Sequence, residues 1–91
     1  MTIKVARRKL PKNGDTSIVF IGEKEICIIN QNEHFYAIDN LCPHKSASLG
    51  LGKICDDEIL CPLHEYRFNF KTGACNIQAY GTQTYEVEIM D

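Results

Sequence analysis

The chain has no apolar run approaching the roughly 18–20 residues needed to span a bilayer. Its opening stretch, MTIKVARRKLPKNG, holds no apolar signal core and no transit-peptide pattern. A cytoplasmic protein with no membrane attachment is therefore expected. Helical periodicity is missing throughout, as are repeats, low-complexity tracts and linkers. Neither G-x-G-x-x-G nor a P-loop occurs, so no nucleotide is expected to bind. No acidic residue precedes Asp15, and there are only three histidines: His34, His44 and His64.

At 91 residues the chain reads as a single domain, 1–91, because a second core could not be built from what remains. So small a domain has a thin core and often relies on a metal or disulfide staple. Apolar residues at 44% and charged residues at 24% argue against disorder. Five cysteines is an odd count, which speaks against a disulfide framework and for metal or redox use of some thiols. The net charge of −2 is unevenly spread: Lys4, Arg7, Arg8, Lys9 and Lys12 hold half of the ten positive charges. The remainder of the chain is acidic, which disfavours nucleic acid and suits a protein partner with a basic patch. The basic opening strand is either a solubilised sheet edge or a docking element.

Short β-branched runs separated by turns fill the sequence. TSIVFI (16–21) and EICIIN (25–30) form a hairpin through Gly22-Glu23-Lys24, and HFYAI (34–38) follows the turn Gln31-Asn32-Glu33. EILC (58–61) and YRFNF (66–70) come next, and TYEVEIM (84–90) places Tyr85, Val87 and Ile89 on one face. The expected class is all-β, a small antiparallel sandwich or barrel. Two Cys-His pairs then fall in loops at strand ends, where a rigid scaffold presents chemistry.

Those pairs are Cys42-Pro43-His44 and Cys61-Pro62-Leu63-His64, sixteen residues apart. Thiolate and neutral imidazole are ligands for zinc and for iron–sulfur centres. Common zinc modules group like ligands, as C-x2-4-C with H-x3-5-H. Here each loop carries one of each, so each of two facing loops can give one ligand to each iron of a bridged pair, one iron taking both cysteines and the other both histidines.

At these residues the sequence resembles the Rieske family. CPHK, sixteen residues and CPLHEYRF are similar to the Rieske motif C-x-H-x(16–17)-C-x2-H. The flanks HFYAIDNLCPH, ASLGLGKI and YRFNFKTGA resemble those of Rieske ferredoxins, over roughly residues 14 to 90. The resemblance implies the Rieske fold with one [2Fe-2S] cluster, Cys42 and Cys61 on the inner iron and His44 and His64 on the outer. Two ferric ions, two sulfides and two thiolates are neutral, whereas four thiolates would give a charge of −2. Rieske centres as a class accordingly run from about −150 to +300 mV, against about −400 mV for plant-type clusters.

Several positions depart from the family. Ala47 and Leu63 stand where respiratory Rieske proteins have a disulfide, and Tyr66 and Phe68 where they have serine and tyrosine. Glu65 replaces the usual glycine, and NIQAYGTQT (76–84) lacks the prolines of the loop over the cluster. Fewer hydrogen bonds to sulfur and an added negative charge place the potential at the low, ferredoxin-like end. Ser46, Ser48 and Tyr66 are candidate donors to the cluster, with loop-polar or packing roles preferred. His34 is expected at the surface, Cys27 and Cys55 as reduced packing residues, and Cys75 as the more exposed thiol.

The implied function is that of a one-electron carrier, not an enzyme. It would take electrons from a flavoprotein reductase and pass them to a terminal oxygenase. The alternatives are the small Rieske-type subunit of an assimilatory nitrite reductase and a zinc-binding structural module. An oxygenase's own Rieske domain is disfavoured by length.

Overall fold

The β-branched runs of the sequence become eight strands in a computed structural model that describes residues 1–42, 47–62, 66–77 and 81–91. They are β1 (Thr2–Ala6), β2 (Thr16–Ile21), β3 (Lys24–Gln31), β4 (His34–Asp39), β5 (Ile54–Cys55), β6 (Glu58–Leu60), β7 (Arg67–Asn69) and β8 (Thr84–Met90). Two single 3-10 turns, Arg7–Lys9 and Leu49–Leu51, are the helical elements among the described residues. None is long and apolar enough to cross a membrane.

The strands form a five-stranded sheet in the order β1-β8-β4-β3-β2 and a three-stranded sheet in the order β5-β6-β7. Tight turns set the antiparallel registers. Gln31 faces His34 across a two-residue turn in which Asn32 and Glu33 have φ of 55° and 66°. Positive φ at both central positions matches the turn to the strands' right-handed twist. One pairing departs from the antiparallel expectation. β1 runs parallel to β8, with Lys4 opposite Glu88. No turn joins these two strands, because the rest of the chain is the crossover between them, so hairpin geometry does not dictate their direction.

Strand β3 explains the division of the core. Its five consecutive buried residues are Ile26 to Asn30, a continuous run expected of a strand covered on both faces. Ile26 and Ile28 point into a group with Ile3, Val5, Val19 and Tyr85, enclosed by the curl of the large sheet. Cys27 and Ile29 point the other way, into a group with Ile59, Phe68 and Phe70 from the region of the small sheet. The alternation expected along β8 holds. Tyr85 is buried and Val87 and Ile89 are half-buried, while Glu86 and Glu88 are exposed.

The three cysteines outside the Cys-His pairs are all free thiols. Cys27 packs in the core as expected, and burial pushes its thiol up to about 12. Cys55 does not pack. It is exposed on β5 beside the tight turn at Asp56, whose φ is 54°. A two-residue strand ending in such a turn cannot carry both residues inward. Cys75, expected to be the more exposed, is only partly so, because it packs against the group that contains Phe68.

Reactivity should follow burial, since the thiolate is the nucleophile. Brief iodoacetamide treatment at pH 8 is expected to alkylate Cys55 and leave Cys27 unmodified until the protein is unfolded, as peptide mass mapping would show. The folded Cys27 thiol also holds its proton more tightly than the unfolded one. Its contribution to stability is therefore present below the ordinary value of 9.0 and lost as pH rises toward about 12. Early labelling of Cys27 would contradict its placement.

Candidate metal centre

Two loops leave the core at matching necks. At the first, the Cys42 N–H donates to the Ala47 carbonyl at 2.8 Å. At the second, the Cys61 N–H donates to the Tyr66 carbonyl at 2.9 Å. In both, a cysteine closes the loop onto the residue five positions on, and the candidate histidine falls within the span. Their sequences differ, as C-x-H and C-x2-H, yet the necks are the same length. Nothing in the ligand spacing alone announces that equivalence.

Cys42 is fully buried and Cys61 is 3% exposed. Both belong to the apolar group formed by β3, β4, β6 and Phe68, with Ala47 and Tyr66 packed against it. Two thiols from loops nineteen positions apart thus enter one water-poor core, neither in a disulfide. Soft sulfur donors held away from water are the chemistry an iron–sulfur centre requires at its protein end. The partner residues His44 and His64 lie outside the described residues, as do Ser46, Leu63 and Glu65.

A buried amide fixes the first neck. Asn40, fully buried, donates through Nδ2 to Glu25 Oε1 at 2.7 Å and to Ser48 Oγ at 2.9 Å. Its Oδ1 accepts from the Gly50 N–H at 2.8 Å. Its backbone N–H donates to the Glu25 carbonyl and its carbonyl accepts from Leu49. One residue thereby ties β3 to both limbs of the loop, two positions before Cys42. Sequence reasoning missed Asn40 and Glu25, because an asparagine between a strand and a loop reads as a turn former. Ser48, a candidate donor to the cluster, has its oxygen engaged by Asn40.

The second loop is braced from the other side. Arg67 N–H donates to Asn76 Oδ1 at 2.8 Å, and Asn76 N–H to the Arg67 carbonyl at 3.0 Å. This places the start of the proline-free 76–84 segment alongside the start of β7. Residues 78–80 of that segment lie outside the described residues. Gly73, at φ 83°, returns the chain so that the Thr82 N–H reaches its carbonyl. Phe68 is fully buried, and a phenylalanine there presents no hydroxyl to the loop. His34 is exposed on β4, as expected.

The arrangement defines a class: small β proteins in which two loops, each with a Cys-His pair in its sequence, send their cysteines into one apolar core. The Rieske [2Fe-2S] domain pattern matches residues 2–86, and the chain belongs to that family. Among curated relatives, the ferredoxin component of the naphthalene 1,2-dioxygenase system of Pseudomonas putida is 38% identical over 78 residues, which is 84% of this chain and 75% of that protein. The ferredoxin component of the alkene monooxygenase system of Xanthobacter autotrophicus is 34% identical over 62 residues. There the match covers 67% of this chain but only 51% of the relative.

A solved complex of reduced oxygenase and oxidized ferredoxin in carbazole 1,9a-dioxygenase contains a chain that superposes with a TM-score of 0.77 at 30% identity, covering 85% of this chain and 74% of that one. A structure assigned as the small subunit of an NADPH nitrite reductase superposes with a TM-score of 0.78 over 88% of this chain and 82% of the other. At 21% identity it shares the fold alone.

Proposed function

We propose that the chain is a Rieske-type ferredoxin, a one-electron carrier that receives electrons from a reductase and delivers them to a terminal oxygenase. The observation that carries this reading is the pair of equal necks, each closed by a buried cysteine of one apolar core. In this reading Cys42 and Cys61 hold one iron and His44 and His64 the other. When bound, the cluster supplies reversible uptake of one electron. The chain's own part is to keep both sulfur ligands dry and fixed through the Asn40 and Asn76 braces, so that little rearranges when charge changes. No residue is required to make or break a substrate bond.

Partners follow from the chemistry and from the relatives. Dioxygenase and monooxygenase systems name their similar components ferredoxins, and in the carbazole system the similar chain is found with its oxygenase. A flavoprotein is the fitting reductase, because flavins convert hydride pairs into single electrons. Residues 1–91 act as one domain in the cytoplasm, where exposed thiols such as Cys55 stay reduced.

Anaerobically reconstituted protein should contain iron and acid-labile sulfide in equal amounts. His64→Cys, by adding a thiolate to the outer iron, should lower the reduction potential toward the plant-type range of about −400 mV. Equilibrium redox titration checks this. A single metal without sulfide, or a potential that does not fall in a cluster-bearing variant, would falsify the assignment.

A further inference from the structure

Among the described residues, none of the opening segment belongs to the core group that holds Cys42 and Cys61, yet the fold gives it a defined place. β1 and β2 are the two edges of the five-stranded sheet, and no ladder joins them. The sheet curls until both line one groove of about 210 Å³. Its apolar lining comes from Val5, Val19, Ile21 and Met90, with Phe20 beside them, and its charged lining from Lys4, Arg8 and Lys9. No acidic residue lines it. Phe20 is 72% exposed, Met90 45% and Ile21 38%. Among the described residues none of the three cations is in an ion pair, whereas Arg7 pairs with Asp91. The 3-10 turn closes one end, where Ser17 Oγ donates to the Lys9 carbonyl at 2.8 Å.

We propose that this groove is a second docking site, separate from the cluster loops, and that it takes an extended segment of a partner protein in which acidic residues alternate with β-branched or aromatic ones. Exposed strand edges present unpaired backbone donors and acceptors that an added strand can satisfy. Charge selects the occupant: three cations without an ion pair among the described residues favour carboxylates, and the apolar lining favours side chains that a polyphosphate lacks. The fold also holds its own example. The other edge of β1 already accepts β8, TYEVEIM, with Thr2 opposite Glu86 and Lys4 opposite Glu88. The free edge of β1 carries the same residues and suits a strand of the same kind. Such an anchor lets a partner stay attached while the cluster loops are exchanged between electron donor and acceptor, a gain in effective concentration without a tighter redox interface.

The test uses a capped heptapeptide with the sequence of Thr84–Met90 and ¹⁵N-labelled holoprotein. Saturable shifts are expected at residues 2–6 and 16–21, with half-saturation below about 1 mM and weakening as salt is added. The combined variant Lys4→Gln, Arg8→Gln, Lys9→Gln is expected to bind roughly tenfold less tightly while keeping the cluster's visible spectrum and melting temperature. A peptide with both glutamates changed to lysine should not bind. The proposal is overturned if no saturable shifts occur, in which case the lysines only protect an edge. It is equally overturned if the lysine peptide binds as well, if the shifts fall only at the cluster loops, or if heparin or phosphatidylserine vesicles displace the peptide at equivalent charge. These readouts do not depend on electron transfer, so failure here leaves the carrier assignment untouched.

Discussion

Gly52→Ala is expected to cost about 3–5 kcal/mol, enough to leave little folded protein with an intact cluster. The reason is contact, not backbone conformation. Gly52 has φ −83° and ψ −178°, which any residue adopts. A Cβ there would stand 1.7 Å from the Leu60 carbonyl oxygen and 2.9 Å from its carbon. Those atoms are backbone and cannot swing aside. They belong to Leu60, the residue before Cys61, and the Leu60 N–H itself donates to the Lys53 carbonyl at 2.8 Å. To admit a methyl group, the limb leaving the first loop must separate from the strand entering the second. That would break the Leu60–Lys53 bond and shift Cys61 relative to Cys42. Gly14→Ala is the control: it has φ +84° but nothing within 4 Å. It should cost only the left-handed backbone penalty of about 1–2 kcal/mol. Urea denaturation of the holoproteins, followed by far-UV circular dichroism and cluster absorbance, separates the two. Equal costs for both variants would remove the steric account.

That close approach shows what the sequence cannot announce. Strands β2, β4 and β8 are legible to within one residue, because β-branched runs bounded by Gly22, Asn32 and similar turn residues carry local signals. β5 carries no such signal. Two residues supply no period, and it exists because β6 is beside it. The parallel union of β1 and β8 is likewise invisible, since the two lie at opposite ends of the chain and neither depends on a turn. The same contrast holds at the site. Cys42 and Cys61 are conspicuous because few chemistries need thiol and imidazole so spaced. Asn40, Glu25 and Gly52 are not, because their roles arise from which backbone groups tertiary packing leaves in need of a partner.

Asn40→Ala is expected to destabilise the protein by about 2–4 kcal/mol. It should also release the cluster before the β-structure melts, so that cluster absorbance falls at a lower temperature than the far-UV signal. Alanine leaves the Gly50 N–H without its acceptor inside a buried neck, and removes the donor shared by Glu25 and Ser48. The backbone bonds of residue 40 survive, so β4 stays paired while the limb carrying Ser48 and Gly50 loosens. Asn40→Asp sharpens the test, because shape and the Gly50 bond are kept while Nδ2 becomes an oxygen facing Glu25 Oε1 across 2.7 Å. Two carboxylates that close cannot both ionise freely, so one pKa must rise in the folded state. A folded pKa raised above the unfolded one stabilises the variant below the unfolded value, about 4, and loses that stabilisation as pH rises through the folded value. The aspartate variant should therefore be less stable than wild type at pH 8 and recover part of the deficit at pH 5. Melting curves at both pH values, each referred to wild type under the same conditions, give the comparison. A deficit that stays constant or grows on acidification would mean that the Asn40–Glu25 contact does not hold the loop.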